Sequence, residues 1–178
     1  MQKEYILSGF GGQGLMLAGM LLSEAGMLEG RNVSWIPSYG PEMRGGTANC
    51  AVVVSEEPIG SPIVDNPDVV VAMNLPSMDK FEPMVKTGGI MVYNSSLIKR
   101  QPARTDITYV ACPGTSIAEE LGNDKVANMA MLGALMAADK WVKAESLEKV
   151  LHKKMTGSKA KLIPLNIEAI KKGSEAYR

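Results

Sequence analysis

The chain has 178 residues, about the length of one ordinary domain, and such a domain buries roughly 70% of its unfolded surface. Lys plus Arg and Asp plus Glu each number 19, so the formal net charge of zero gives no global attraction to nucleic acid or an anionic membrane. Aromatic residues are only 5% of the chain, which disfavours the stacking platforms of single-strand binders. We therefore expect one globular domain, with neither nucleic acid nor a membrane as partner.

Few residues are available for metal binding or nucleophilic catalysis. The chain has two cysteines, Cys50 and Cys112, and one histidine, His152. Zinc and iron–sulfur sites need about four ligands, so this chain alone is not expected to hold either. His152 falls on a charged helical segment and is expected to be solvated, so no catalytic residue is assigned. The chain leads from Met1 directly into a predicted strand with no signal peptide, which predicts a cytoplasmic protein with free thiols.

A glycine-rich turn joins the first predicted strand to the first predicted helix. It has the sequence Gly-Phe-Gly-Gly-Gln-Gly over residues 9–14 and follows the apolar residues 5–7. Gly9, Gly11 and Gly14 match the G-x-G-x-x-G pattern, which allows a tight turn, close backbone approach and close helix–strand packing. The N–H groups at the start of the following helix would suit a phosphate or carboxylate. The alternative is that the glycines only close a tight turn.

A dinucleotide site also needs a carboxylate at the end of the second strand to bind the ribose hydroxyls. The second strand is predicted at Asn32–Ile36, and no Asp or Glu stands at its end. Glu29 precedes this strand, and Glu42 lies several residues beyond it. The sequence therefore disfavours NAD, NADP and FAD.

Two predicted helices are apolar nearly all round. The first covers Leu15–Leu28, where only Ser23 and Glu24 are clearly polar, and the second covers Val126–Ala138. Helices of this composition are buried on more than one side. Two interpretations stay open: another subunit covers part of their surface, or both are core helices of a compact α/β sandwich.

The remaining pattern alternates short Val- and Ile-rich runs with turns and helical stretches. Buried strands are predicted at 49–54, 69–72, 90–93 and 107–110, and helices near 77–85 and 116–121. This alternation predicts a Rossmann-like three-layer α/β sandwich with a mostly parallel sheet. Beyond residue 140 an amphipathic helix at 144–155 and a polar tail helix near 166–177 are expected. We interpret 1–178 as one domain, with a core at about 4–140 and a C-terminal helical extension at about 141–178.

A second loop, residues 37–50, has too few apolar residues to belong to the core. Such a loop would lie beside the glycine turn if both follow the carboxyl ends of strands. Arg44 could bind a carboxylate or phosphate, and the glycines after it would allow close backbone approach. The alternative is that Arg44 pairs with Glu42 or a helix end and only fixes the loop. The candidate binding residues of the two loops are Gly9, Gly11, Gly12, Gly14, Tyr39, Arg44, Gly45 and Gly46.

Polar residues also stand where other predicted strands become helices. Asn74, Asn94, Ser95 and Thr115 occupy such positions. Asn, Ser and Thr are favoured helix N-caps, so capping is the expected role of these four residues.

The two loops together closely resemble the gamma subunit of the 2-oxoacid:ferredoxin oxidoreductases. The resemblance rests on Gly-Phe-Gly-Gly-Gln-Gly at 9–14 and Ser-Tyr-Gly-Pro-Glu-Met-Arg-Gly-Gly-Thr-Ala-Asn-Cys at 38–50. Residues 59–62, 73–74, 94–96 and 122–123 fit the same family, so it covers roughly residues 4 to 140. The 2-oxoglutarate and branched-chain 2-oxoacid types look most similar in the second loop.

The resemblance implies a multi-subunit enzyme of anaerobic metabolism that converts a 2-oxoacid and coenzyme A to acyl-CoA, carbon dioxide and reduced ferredoxin. It places thiamine diphosphate and the iron–sulfur clusters on other subunits. For this chain it implies a non-catalytic, Rossmann-like subunit of a hetero-oligomer, which helps to shape the coenzyme A site. The small polar face of the helices at 15–28 and 126–138 separately predicts that the isolated chain self-associates or exposes apolar surface. The competing hypothesis is a free-standing enzyme that binds a nucleotide at the glycine turn.

Overall fold

The computed structural model describes residues 1–38 and 47–177, which form a six-stranded sheet flanked by helices. The strands are β1 (Gln2–Phe10), β2 (Asn32–Ser38), β3 (Thr47–Ser55), β4 (Val69–Ala72), β5 (Ile90–Asn94) and β6 (Thr108–Cys112). The helices are α1 (Leu15–Leu28), α2 (Leu75–Phe81), α3 (Gly114–Glu120), α4 (Ala127–Asp139), α5 (Ala144–Lys154) and α6 (Ile163–Glu175).

The strand order is β2-β3-β1-β4-β5-β6. β1, β4, β5 and β6 are parallel neighbours, whereas β3 runs antiparallel to both β1 and β2. Only residues 39–46 connect β2 to β3, which is too short for the crossover that a parallel pair requires. β3 therefore runs antiparallel to β2. In the sheet it lies between β2 and β1. The predicted α/β fold with a mostly parallel sheet is confirmed.

Apolar side chains cover both faces of the sheet, because successive residues of a strand point to opposite sides. Tyr5 and Leu7 of β1 face the larger cluster, which includes residues of α1, α3, α4, α5 and α6. Ile6 faces the smaller cluster, which includes Met78 and Phe81 of α2. The helix after β1 and the helix after β4 therefore lie on opposite faces of the sheet.

The observed boundaries follow local sequence signals. α1 spans Leu15–Leu28, as predicted. α2 starts at Leu75, before the predicted residue 77, and gives way to a 3-10 turn at Glu82–Met84. Pro83 lies in that turn, where a proline disfavours continuation of an α-helix.

The tail helix α6 is an integral part of the packing. Its buried residues lie along one side of the helix: Ile163, Asn166, Ala169, Ile170 and Gly173. This side packs against α4, so the apolar surface of α4 is buried within the chain rather than by another subunit. The apolar surface of α1 is not fully buried in the same way, because Leu17, Met27 and Leu28 are 40%, 57% and 52% exposed.

The two cysteines are buried and form no disulfide. Burial raises the pKa of the Cys50 thiol to about 11 and that of Cys112 to about 12. In the described residues no group of three or more His, Cys, Asp and Glu side chains is placed to hold a metal ion. Nor does any helix in residues 1–38 and 47–177 have the length and apolar character to cross a membrane.

Candidate functional site

The carboxyl edge of the parallel strands contains the glycine turn at a topological switch point. β1 and β4 are adjacent and parallel, and the helices that follow them, α1 and α2, lie on opposite faces of the sheet. In open α/β sheets this divergence leaves a crevice at the carboxyl ends of the strands, where ligands bind. Residues 9–14 lie at this crevice.

Tight contacts fix the shape of the turn. Gly12 and Gly14 have φ angles of 88° and 75°, which side chains rarely adopt. The Phe10 backbone N–H donates to Gln13 Oε1 at 2.6 Å, and the Gln13 N–H donates back to the Phe10 carbonyl at 3.3 Å. A Cβ at Gly9 would lie 2.7 Å from Met73 Cβ, so only glycine fits there.

Asn128, near the start of α4, contacts the glycine turn at its last residue, Gly14. Its side-chain Nδ2 donates to the Gly14 carbonyl at 2.9 Å. The residue is 3% exposed, and its Oδ1 has no hydrogen-bond partner in the described part of the chain. A Cβ at Gly14 would overlap this amide. Both the Asn128 side chain and the left-handed backbone angle therefore require glycine at position 14.

The first turn of α1 differs from those of α2 and α3 in its capping. Asn74 Oδ1 accepts from Ser77 N at 2.9 Å, which confirms Asn74 as the N-cap of α2. Asn94 Oδ1 accepts from Thr115 N at 3.3 Å, so Asn94 caps α3 from the neighbouring strand. Among residues 1–38 and 47–177 no side chain caps α1, and its first turn contains no acidic residue. The N–H groups at the start of α1 are therefore free to bind an anion.

Two cavities lie on opposite sides of the turn and differ in charge. The first, of about 350 Å³, is lined partly by Glu119, Asp124 and Lys125, together with Gly12, Gln13, Met73, Leu97, Thr115 and Ala127. The second, of about 260 Å³, has no charged side chain among its described lining residues, which are Phe10, Gly11, Gly12, Gly14, Leu15, Met16 and Ala48. On the second side, the part of the chain that the structure describes places no carboxylate against an anion at the N-terminus of α1.

Exposed apolar residues surround this edge. Phe10, Leu75 and Leu97 are 43%, 39% and 48% exposed, and they follow or end β1, β4 and β5. Such residues are normal when scattered singly, but here three of them lie at one edge of the sheet. This edge therefore combines free backbone donors with apolar surface.

The described residues include half of the predicted site. Gly9 lies near the end of β1, where it pairs with Ala48, and Gly11, Gly12 and Gly14 lie in the turn that follows. The other predicted residues lie outside the described residues: Tyr39, Arg44, Gly45 and Gly46. Thr47, which follows that segment, pairs with Phe10 in the sheet, and Ser38, which precedes it, pairs with Asn49.

Sequence reasoning missed Asn128 and Gln13. Asn128 is 114 positions from Gly14, and nothing in the local pattern of a buried apolar helix indicates such a contact. The role of Gln13 could have been predicted, because the side chain of a polar residue three positions after Phe10 can accept a hydrogen bond from the Phe10 backbone N–H.

Glu29 does not occupy a position suitable for binding a ribose. It follows α1, away from the glycine turn, where Oε1 accepts from Lys143 N at 2.8 Å and Oε2 lies 3.4 Å from Arg31. The described residues thus provide no ribose-binding carboxylate at the end of β2.

The fold and the glycine turn define a Rossmann-like α/β protein with a crevice at the carboxyl edge of its parallel strands. A family model described as pyruvate ferredoxin/flavodoxin oxidoreductase matches residues 4–176. The chain belongs to this family. The match extends well past residue 140, where the resemblance of the sequence motifs ends.

Individual relatives agree with this membership. The chain is 41% identical over 173 residues to the ketoisovalerate oxidoreductase subunit VorA of Methanothermobacter marburgensis, covering 97% of this chain and 36% of VorA. It is 40% identical over 182 residues to the 2-oxoglutarate synthase subunit KorC of Methanocaldococcus jannaschii, covering 100% of this chain and 95% of KorC. The chain thus spans little more than a third of VorA but nearly all of KorC.

A solved structure shows the same fold. The gamma subunit of a keto/oxoacid ferredoxin oxidoreductase from Geobacter sulfurreducens superposes with a TM-score of 0.85 at 29% identity, and the alignment covers 98% of each chain. The similarity includes α5 and α6, since the alignment spans almost the whole chain.

Proposed function

We propose that this chain is the gamma subunit of a multi-subunit 2-oxoacid:ferredoxin oxidoreductase. The observation that carries the proposal is the 40% identity to the KorC subunit over 95% of that protein. The substrate would be a 2-oxoacid of the 2-oxoglutarate or branched-chain class, since the similar proteins are named for 2-oxoglutarate and ketoisovalerate. The products would be acyl-CoA, carbon dioxide and reduced ferredoxin.

In this assembly the chain has a structural role, and thiamine diphosphate and the iron–sulfur clusters belong to other subunits. Two cysteines and one histidine are too few to ligate a cluster. Both cysteines are buried core residues, and His152 lies on the exposed side of α5. The domain would comprise residues 1–178, and the free thiols suit a cytoplasmic location.

The glycine turn would help to bind coenzyme A through an anionic group. The free N–H groups of α1 favour an anion by up to about 1 kcal/mol, and a charged hydrogen bond from Arg44 would add about 1.5 to 3 kcal/mol. The cavity of about 260 Å³ beside Ala48 is too small for the whole molecule. The lone subunit would therefore bind coenzyme A weakly, and other subunits would contact the remainder.

The isolated chain is expected to catalyse no 2-oxoacid oxidation, even with thiamine diphosphate, coenzyme A and ferredoxin supplied. The physical reason is that it lacks cluster ligands and an identifiable base. Ferredoxin reduction is measured for the pure chain and for the complex that copurifies with it. Turnover by the pure, metal-free chain would overturn the subunit proposal.

Titration of the isolated chain with NAD, NADP, FAD and ATP tests the competing free-standing enzyme. We expect no saturable binding below about millimolar concentration, because one helix N-terminus provides only about 1 kcal/mol. Micromolar binding of any of the four nucleotides would favour that alternative.

In the assembled complex, Arg44→Ala is expected to raise the KM for coenzyme A about tenfold or more, because a charged hydrogen bond to the anion is lost. The KM for the 2-oxoacid should change less. Lys125→Ala is the matched control, since Lys125 lines the cavity on the opposite side of the turn. If Arg44→Ala leaves both coenzyme A kinetics and assembly unchanged, this role of the second loop is excluded.

A further inference from the structure

The outer surface of α1 carries an apolar stripe that no other part of the described chain covers. Leu17, Met27 and Leu28 are exposed and Met20 is half-buried, and their spacing places them along one side of the helix. Glu24 is the acidic residue on this side, and Lys154 neutralises it at 2.6 Å. The stripe extends over about 16 Å, given a rise of about 1.5 Å per residue.

A groove between α1 and α5 continues this stripe. Its volume is about 520 Å³, and it is lined by Glu24, Met27, Leu28, Lys149, Val150 and Lys153. Met27, Leu28 and Val150 provide the apolar part of the lining. Amphipathic helices bind with their apolar face in hydrophobic grooves of this kind.

The α5 side of the groove is basic although the chain as a whole is neutral. Lys149 and Lys153 are one helical turn apart on α5, and neither forms an ion pair within the described residues. From residue 149 to residue 161 the sequence contains five lysines, one histidine and no acidic residue. Like charges at this spacing repel each other in the free chain, so carboxylates of a partner would relieve the repulsion.

We propose that the α1–α5 groove is the docking site for an acidic amphipathic helix of another subunit, which inserts an apolar side chain beside Met27 and Leu28. Two carboxylates one turn apart on that helix would pair with Lys149 and Lys153. The inference rests on the proposed function, since it needs a multi-subunit assembly. In VorA the matched region is 36% of the chain, so the same domain there is joined to further polypeptide.

The test uses the assembled complex. A carbodiimide, which joins amines directly to carboxylates, should link Lys149 and Lys153 to Asp or Glu residues of one partner helix. Lys149→Glu with Lys153→Glu should weaken association of the chain with the remaining subunits about tenfold or more at low salt. The effect should shrink as salt rises, because screening shortens the range of charge interactions.

Two further variants separate charge from apolar contact. Met27→Gln with Leu28→Gln should also weaken association, but with little dependence on salt. Lys80→Glu with Lys171→Glu makes the same change of charge at exposed positions outside the groove and should have no effect. Circular dichroism checks that each variant retains its fold.

The outcomes distinguish this inference from the proposed function. If the wild-type chain assembles and the groove variants assemble equally well, the groove proposal is wrong while the proposed function stands. A groove variant that changes only the KM for coenzyme A would also overturn it, because the groove would then bind a small anion. A wild-type chain that retains no other subunit would overturn the proposed function, and this inference with it.

Discussion

Gly133→Ala is expected to lower the free energy of unfolding by about 2 to 3 kcal/mol, although alanine is the better helix former by about 1 kcal/mol. A Cβ at Gly133 of α4 would overlap the carbonyl oxygen of Ile170 in α6 and lie 2.7 Å from its carbonyl carbon. The obstacle is backbone, so no side-chain rotation relieves it. Only separation of the two helices makes room, and that separation opens the packing on both sides of the crossing.

Gly60→Ala is the matched control for this experiment. Gly60 is exposed, its φ angle is not positive, and no atom of residues 1–38 or 47–177 lies within 4 Å of an added Cβ. Its replacement should leave stability unchanged or raise it slightly, because alanine restricts the unfolded chain. Urea unfolding of the purified variants measures both effects. Equal midpoints for Gly133→Ala and Gly60→Ala would show that α6 does not pack closely on α4.

The same contact explains one limit of sequence reasoning. α1 could be predicted at both ends, because its long apolar run is bounded by glycine turns at Gly14 and Gly30. For the tail helix α6, the sequence predicted a helix but not where that helix packs. Its docking depends on Gly133 and Gly173 meeting the facing backbone across α4 and α6, and this pairing has no local signal. The sequence therefore left open whether another subunit covers α4 or α4 is a core helix, and only the structure shows that it is a core helix.

The sheet and the site show a similar limit. Val- and Ile-rich runs identified the buried strands, but strand order depends on which connections are long enough to cross over. The short connection between β2 and β3 excludes a parallel pair, although the strand patterns alone do not show it. At the site, the glycines could be identified by their spacing, whereas Asn128 reaches Gly14 from 114 positions away.

Gly14→Ala is expected to destabilise the chain by about 2 to 4 kcal/mol, and Gly12→Ala by only about 1 to 2 kcal/mol. The two glycines have similar left-handed φ angles of 75° and 88°, so both substitutions introduce the same kind of backbone strain. They differ in their surroundings. An added Cβ at Gly12 meets no atom of the described residues within 4 Å, whereas at Gly14 it would overlap the amide of Asn128.

Asn128→Ala isolates that overlap in a double-mutant cycle. Alone, it removes the hydrogen bond to the Gly14 carbonyl and should cost about 1 kcal/mol. In this background the penalty of Gly14→Ala should fall to that of Gly12→Ala, which gives a coupling energy of at least about 1 kcal/mol between positions 14 and 128. Gly12→Ala should be additive with Asn128→Ala. Additivity of Gly14→Ala with Asn128→Ala would instead mean that α4 does not hold the turn, because the strain at Gly14 would then be that of the backbone alone.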